Sequence, residues 1–294
     1  MKKILITKAS GCIGVNLANL LLEDDKSVIL GYDDKLSNNT SSIYSLLKND
    51  RYNFTEYDLT QEINEYSDEI YFLSPCIDST LYLDDKYAYI VRQIRILNNI
   101  LNYASSCGAK IIFVNNFCNY NSVNTEFYPL YSAILAMQNM VKVFSAKNKL
   151  NYKITQISNC YGTHSYPNLD NFVGEYIFKS FHNEKIDIGK DELIYITFSQ
   201  DITRALKKIM ESYTDTNFFD ISNPNPCLKS DIARLVSNFT KSRSEIVYSE
   251  SKAEEPAFKP DISKLNNELD FRCSTSILDG VSKTIDYYKT MYFS

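Results

Sequence analysis

The sequence predicts an α/β fold, a doubly wound parallel sheet with a smaller discontinuous C-terminal lobe, on three observations. Short runs of branched and aromatic residues alternate with helix-period segments through the first half. The first run passes through a turn of small residues, Thr7-Lys8-Ala9-Ser10-Gly11-Cys12-Ile13-Gly14, straight into the apolar helical stretch Val15 to Leu22. After Asn159 the alternation stops.

Ile4 to Thr7 reads as strand one, Val28 to Tyr32 as strand two, Asn53 to Tyr57 as strand three and Glu69 to Leu73 as strand four. Tyr89 to Ser105 places Ile90, Ile94, Leu97 and Leu101 on one helical face and stops before Gly108. Lys110 to Val114 makes strand five, Tyr131 to Ala146 a second long helix, and Tyr152 to Ile157 strand six. Tyr161 to Asn171 is polar, contains Gly162 and Pro167, and reads as a long loop before a helix at Phe172 to Phe181. Asp201 to Tyr213 is helical, Phe218 to Ile221 strand-like, and Asn223 to Pro226 a turn. Lys229 to Thr240 and Ile277 to Tyr288 complete the helices. Residues 1–165, rejoined by about 191–222, therefore form a Rossmann-like dinucleotide-binding domain, and residues 166–294 a substrate-binding lobe over the carboxyl ends of the strands.

A net charge of −5 offers no electrostatic footprint for nucleic acid. The seven cysteines never form a CxxC pair, and with two histidines they argue against a metal site and for free thiols in a reducing compartment. Met1-Lys2-Lys3 could begin a signal peptide, but Ser10-Gly11 and the acidic Glu23-Asp24-Asp25 interrupt any apolar region, and no stretch approaches the ~20 apolar residues of a membrane span. The expected location is the cytoplasm.

The turn at residues 7–14 suits a pyrophosphate whose oxygens face the amides of Gly11, Cys12, Ile13 and Gly14. Asp33 closes strand two and can accept hydrogen bonds from an adenosine ribose, a charge that favours NAD over NADP; it can equally be a polar strand end. Asp58 and Leu59, after strand three, can meet the adenine edge. Lys8 stands where such turns carry their first glycine. Its ammonium can pair with a phosphate oxygen, or its stem and a backbone angle that suits glycine can exclude the dinucleotide.

The fingerprint at Thr7 to Gly14, Asp33, the strand Glu69 to Ser74, Pro129-Leu130-Tyr131-Ser132-Ala133, Ser158-Asn159-Cys160-Tyr161-Gly162, Asp201 to Leu206, Pro260 to Lys264 and Asp279-Gly280-Val281 occur in one order. Together they resemble the extended short-chain dehydrogenase/reductases that modify nucleotide sugars: the 4,6-dehydratases, 4-epimerases and UDP-glucuronate decarboxylases. The resemblance runs nearly end to end. It implies NAD, a nucleotide-sugar substrate, a homodimer formed through the two long helices, and a tyrosine that shuttles the proton of a sugar hydroxyl while NAD takes hydride from the same carbon.

Tyr131 stands at the tyrosine position, Leu135 at that of the lysine four residues on, and Asn116 at that of the hydroxyl residue. An unperturbed phenol ionises near pH 10, so about one in a thousand is phenolate at pH 7. Leu135 supplies no charge to change that, and Asn116 can donate a hydrogen bond but cannot relay a proton. Lys142 shares a face with Tyr131 but lies about 16 Å along the axis. Lys8 is the one cation nominated as a replacement. Gln93, Ile96, Phe72, Thr163 and Ile194 are further departures from residues the resemblance implies. Asn159 and Tyr161 either position substrate or stabilise their loop, and Tyr131 itself can be a structural tyrosine.

Three functions remain open: an NAD-dependent nucleotide-sugar enzyme with an altered proton relay, a catalytically silent homologue that binds a nucleotide, a sugar or a partner, and an enzyme using other groups in the same cleft.

Overall fold

The computed structural model describes residues 1–34, 40–73, 79–116, 126–165, 171–249, 256 and 258–293; Lys35, Ser74, Cys76, Pro167 and residues 117–120 lie outside the described residues. In chain order the elements are β1 (Lys2–Thr7), α1 (Cys12–Leu22), β2 (Ser27–Asp33), β3 (Tyr52–Glu56), β4 (Glu69–Phe72), α2 (Ser79–Asp84), α3 (Lys86–Cys107), β5 (Lys110–Asn116), α4 (Tyr128–Asn148), β6 (Tyr152–Ile157) and β7 (Asn159–Tyr161). There follow α5 (Phe172–Phe181), β8 (Ile186–Lys190), β9 (Leu193–Ile194), β10 (Ile196–Phe198), α6 (Ser199–Glu211), β11 (Phe218–Ile221), β12 (Cys227–Leu228), α7 (Lys229–Thr240), β13 (Ile246–Ser249), α8 (Ser263–Leu269) and α9 (Ile277–Tyr292).

Seven parallel strands form the main sheet in the order β11-β6-β5-β4-β1-β2-β3. This is the Rossmann-like doubly wound sheet. It works because alternate residues of each strand feed opposite, buried faces. Ile4 and Ile6 join Ile112 and Val114 under Leu17 and Leu21 of α1, Leu206 and Ile209 of α6, and Leu265 of α8. Leu5, Ile70, Ile111 and Phe113 point the other way, against Leu97 and Leu101 of α3 and Ile134, Met137 and Val141 of α4. A separate core gathers Val173 and Ile177 of α5, Ile186 of β8, Val236 of α7 and Ile285 and Tyr288 of α9.

The long helices extend beyond their apolar periods because polar chemistry sets their ends. Asp85 caps α3, its carboxylate accepting from Ala88 N at 2.9 Å, and Gly108 closes it in the left-handed conformation at φ +65°. Pro129 lies in the first turn of α4, where a missing N–H is tolerated. Tyr161, expected in a loop, instead belongs to β7, which pairs in parallel with β10.

At the amino edge of the sheet, Lys153 Nζ reaches the carbonyls of Thr214 (2.5 Å) and Thr216 (2.7 Å), and Lys110 Nζ those of Met210 and Ser212. These lysines cap the carbonyl end of α6 and the chain that follows it. The open polar cavity of about 470 Å³ that they line with Lys2 and Glu69 is thus built from spent cations, at the opposite end of the sheet from the turn at residues 7–14.

Candidate active site

The turn between β1 and α1 is folded onto itself. Gly11 N donates to the Lys8 carbonyl at 3.1 Å, and Ala9 N to the Tyr32 carbonyl at 3.3 Å. Gly14 lies flush against this bend: a Cβ there would fall on the Lys8 carbonyl oxygen and within 2.8 Å of Ala9 Cα. Close approach, rather than an unusual φ, is what demands glycine at this position. Lys8 does take the left-handed conformation, at φ +50°, which costs an L-residue roughly 1 kcal/mol.

Asp33, at the end of β2, is 1% exposed. Its Oδ2 accepts from Ser10 N (3.0 Å) and Ser10 Oγ (2.6 Å), and its Oδ1 from Asp34 N (3.0 Å). Lys8 Nζ lies 3.6 Å from the same Oδ1 and 3.2 Å from Asp34 Oδ1. Arg92, on α3, extends the chain of charge, 3.6 Å from Asp34 and 3.1 Å from Asp58. Burial pushes the Asp58 carboxyl up, but hydrogen bonds from Thr60 and the Arg92 guanidinium outweigh it and hold the group below the usual range. Leu59 contributes its side chain to the core and its carbonyl to Asn99 Nδ2, at 2.9 Å.

Lys8 thus commits its ammonium to the end of β2. In the sheet order β5-β4-β1-β2 that is three strand spacings, about 14 Å, from β5. This pairing lends no support to Lys8 as the replacement for the lysine missing beside Tyr131.

A second link ties the turn to the chain after β6. Asn16 Nδ2 donates to the Thr163 carbonyl (2.9 Å), Thr163 Oγ1 returns a bond to Asn16 Oδ1 (3.0 Å), and Cys12 Sγ lies 3.3 Å from the same carbonyl and 4.0 Å from Cys160 Sγ. Sequence reasoning missed Ser10, Asn16, Asp34 and Arg92. Asn16 carried a signal, being a polar residue inside an apolar helical run; the others become visible only when β2, α3 and the turn meet.

On the catalytic side, Asn116 ends β5 in register with Ile157 of β6 and is half-buried. Tyr131 sits in the first turn of α4, half-buried, its ring 6.4 Å from that of Phe127. Leu135, one turn further on, is 43% exposed. Phe72 stacks on Phe113 at 5.6 Å in the core, and Ile194 in β9 pairs with Cys227 of β12. Asn159 is exposed, with Nδ2 bonded to the Tyr195 carbonyl at 3.2 Å. Tyr161 is 1% exposed, packed between Phe198 and Gly280, where a Cβ would meet its ring at 2.8 Å. It is a packing residue of the lobe, its phenol pushed up by burial. His164 lies against Tyr287, and burial pushes its pKa down to about 4, so it is neutral at pH 7.

The carboxyl edge of the sheet therefore gathers Lys8, Gly11, Gly14 and Asp33 at β1 and β2, Asp58 after β3, and Asn116 at β5. Among the described residues no three His, Cys, Asp or Glu side chains converge as metal ligands.

The sequence profile of the NAD dependent epimerase/dehydratase family matches residues 4–217. The chain belongs to that family. Similarity to individual members is remote but long. UDP-glucuronic acid decarboxylase 6 from Arabidopsis thaliana is 21% identical over 297 residues, 95% of this chain and 86% of the relative. The Bacillus cereus UDP-glucuronic acid 4-epimerase, solved with UDP-glucuronic acid and NAD, superposes with a TM-score of 0.86 at 20% identity, covering 99% of this chain and all of the other. The Bacillus anthracis dTDP-glucose 4,6-dehydratase, solved with NAD, superposes at 0.82 and 14% identity, covering 99% of this chain and 98% of its own. At such identities the epimerase/dehydratase structures share the fold.

Proposed function

We propose that this family member is an NAD-binding, nucleotide-sugar-modifying enzyme of epimerase or dehydratase type whose tyrosine–lysine proton relay is altered. The observation that carries this reading is the turn: Gly14 flush on Lys8 and Ala9, with Asp33 fixed by Ser10 at the adjoining strand end. Gly14 lets α1 start hard against this bend, and the helix N-terminus so placed, with Gly11 just before it, suits a pyrophosphate approaching backbone amides.

The residues present fit the cofactor. Gly11, Cys12, Ile13 and Gly14 would hold the pyrophosphate at the N-terminus of α1, Asp33 the ribose, and Asp58 the adenine edge, with Leu59 anchoring that segment in the core. Asp33 and Asp34 repel a 2′-phosphate, which favours NAD over NADP. NAD, when bound, supplies the acceptor for hydride from a sugar carbon. Tyr131 moves the proton of the sugar hydroxyl at its phenol oxygen, and Asn116 Nδ2 donates to a sugar oxygen and orients it. Asn159, exposed after β6, would position substrate, whereas Tyr161 packs in the core of the lobe.

Mass spectrometry of the purified full chain tests the cofactor, and incubation with NAD and UDP- or dTDP-sugars tests turnover. Bound NAD and sugar conversion are expected, with Tyr131→Phe reducing turnover by about 10²-fold or more. Unchanged turnover in that variant overturns the role given to Tyr131.

A second reading, a catalytically silent homologue that binds a nucleotide sugar or a partner, is favoured by Leu135, which places an uncharged, exposed side chain one turn after Tyr131. Binding of NAD and a UDP-sugar without any conversion would establish it. The α3 and α4 helices pack side by side and expose Tyr87 and Val143, the basis for a homodimer through them. A monomer in sedimentation at micromolar concentration removes that assignment. No helix of the described residues is long and apolar enough to cross a membrane. A cytoplasmic location is supported by Cys12, Cys107, Cys227 and Cys273, which are thiols among the described residues.

A further inference from the structure

Asp33 offers an incoming hydroxyl a single acceptor position, and that position faces Lys8. A carboxylate offers about four lone-pair sites. Two on Oδ2 are used by the N–H and hydroxyl of Ser10, at 3.0 and 2.6 Å, and one on Oδ1 by the N–H of Asp34, at 3.0 Å. The remaining side of Oδ1 faces Lys8 Nζ at 3.6 Å, and that ammonium is anchored by Asp34 at 3.2 Å. Asp34 is in turn held by Arg92, which also binds Asp58. A ribose hydroxyl that is to bond Asp33 must enter at the side where the ammonium sits.

We infer that Lys8 is an internal occupant of the ribose site: its ammonium takes the place of the sugar diol on Asp33 and competes directly with the adenosine end of the cofactor. The inference rests on the dinucleotide reading above and adds to it a reason for weak, adjustable affinity. Lys8 also explains its own tolerance at a left-handed position. The strain at φ +50° is offset by a bond to Asp34 that glycine could not make.

The competition has a definite shape. The Lys8 side chain keeps 25% of its surface exposed, so it can swing outward from the stem without unfolding the turn. When it does, it gives up two carboxylate partners and leaves Asp33 and Asp34 facing the incoming diol. Asp33 and Asp34 are joined here by Asp58, against Lys8 and Arg92, so the cluster carries three negative and two positive charges. Removing the ammonium does not turn the site into one for a 2′-phosphate; it frees an acceptor for a neutral hydroxyl. The effect therefore falls on NAD affinity and leaves the preference for NAD over NADP in place.

Calorimetric titration of the full chain with NAD⁺ at low ionic strength tests this, using the natural protein, Lys8→Gly and Lys8→Asn. Asparagine tolerates the left-handed conformation while lacking the charge. Both variants are expected to bind NAD⁺ about tenfold more tightly than the natural chain, the scale of one partly exposed ion pair with two partners. The gap should narrow in 0.5 M salt, where the screening length falls to about 4 Å from about 30 Å in 10 mM buffer. If only Lys8→Gly gains affinity, the obstacle is the Cβ and its backbone angle, and the role given to the ammonium is overturned. If all three proteins bind NAD⁺ equally, the occupant idea fails while the dinucleotide reading stands. If none binds, the dinucleotide reading falls and takes the inference with it.

Discussion

The two ends of this active-site edge differ in what their chemistry is made of. At β1 and β2 the proposed cofactor site starts from backbone, a bend, a helix start and a glycine pressed against both, to which the side chains of Asp33 and Lys8 are added. At β5 and α4 the parts are side chains, and there the tyrosine stands without a charged neighbour one turn on, while asparagine ends the strand where a hydroxyl is implied. A backbone device tolerates substitution of its own residues, and Lys8 holds a left-handed φ of +50° that glycine adopts without cost. A proton relay has no such reserve, because removing one charge removes the function of that position.

The largest effect expected is therefore at the backbone end. Gly14→Val drives two methyls and a Cβ into the Lys8 carbonyl and Ala9, and should cost about 3 kcal/mol in urea unfolding while abolishing NAD binding. Full stability would mean that the turn can open away from α1, and the contrast between the two ends would dissolve. At the side-chain end, Leu135→Lys places an ammonium one turn from Tyr131 on an exposed position, with little effect on folding. It should raise kcat with a UDP- or dTDP-sugar by about 10- to 100-fold, a part of what a positioned acid–base group supplies. No change in kcat would show that Tyr131 is not waiting for a cation, and would favour the silent homologue.

Lys153→Met measures the sheet at its other edge. Lys153 is 3% exposed and donates to the Thr214 and Thr216 carbonyls and to Asn217 Oδ1. Its loss leaves those acceptors unpaired and should cost about 1–2 kcal/mol in the same urea titration. NAD affinity should not move. A coupled loss of affinity would mean that the amino edge and the ligand edge are not energetically separate.

Most of the frame was legible because period-2 and period-3.6 patterns are local. Ile4, Leu5 and Ile6 announce their alternating faces within three residues, and Ile90 to Leu101 announce α3 within four turns. The short strands β7 to β10, β12 and β13 were not legible, since each has only two to five residues and is defined by a partner far away, as Ile196 is by Asn159. The site divides in the same way. Gly14 and Asp33 could be read from spacing, whereas the direction of Lys8 depends on Asp34 and Arg92, and the Asn16 to Thr163 link joins residues 147 positions apart. Tyr161 misled as a loop residue because a polar, glycine-containing neighbourhood hid its burial against Phe198 and Gly280.

The smallest effect separates two buried carboxylates of the one sheet. Asp33 is surrounded by donors; Asp220, on β11, accepts the N–H of Asp261 on Oδ2 at 2.7 Å, and its Oδ1 has no partner among the described residues. Burial pushes Asp220 up to about 6, helped by the neighbouring Asp261 and opposed by the Asp261 N–H and by Lys264. The native state thus holds a proton that the unfolded chain has released by about pH 4. Between about pH 4 and 6 the native state binds more protons, so the contribution of Asp220 to stability falls as pH rises through that window and stays low above it. Asp220→Asn is permanently neutral and can still accept from Asp261. It should raise stability by about 1 kcal/mol at pH 7.5, read as an increase in Tm of a few degrees, and by almost nothing at pH 4. An equal gain at both pH values would mean that packing rather than the charge sets the difference, and that burial alone does not distinguish Asp220 from Asp33.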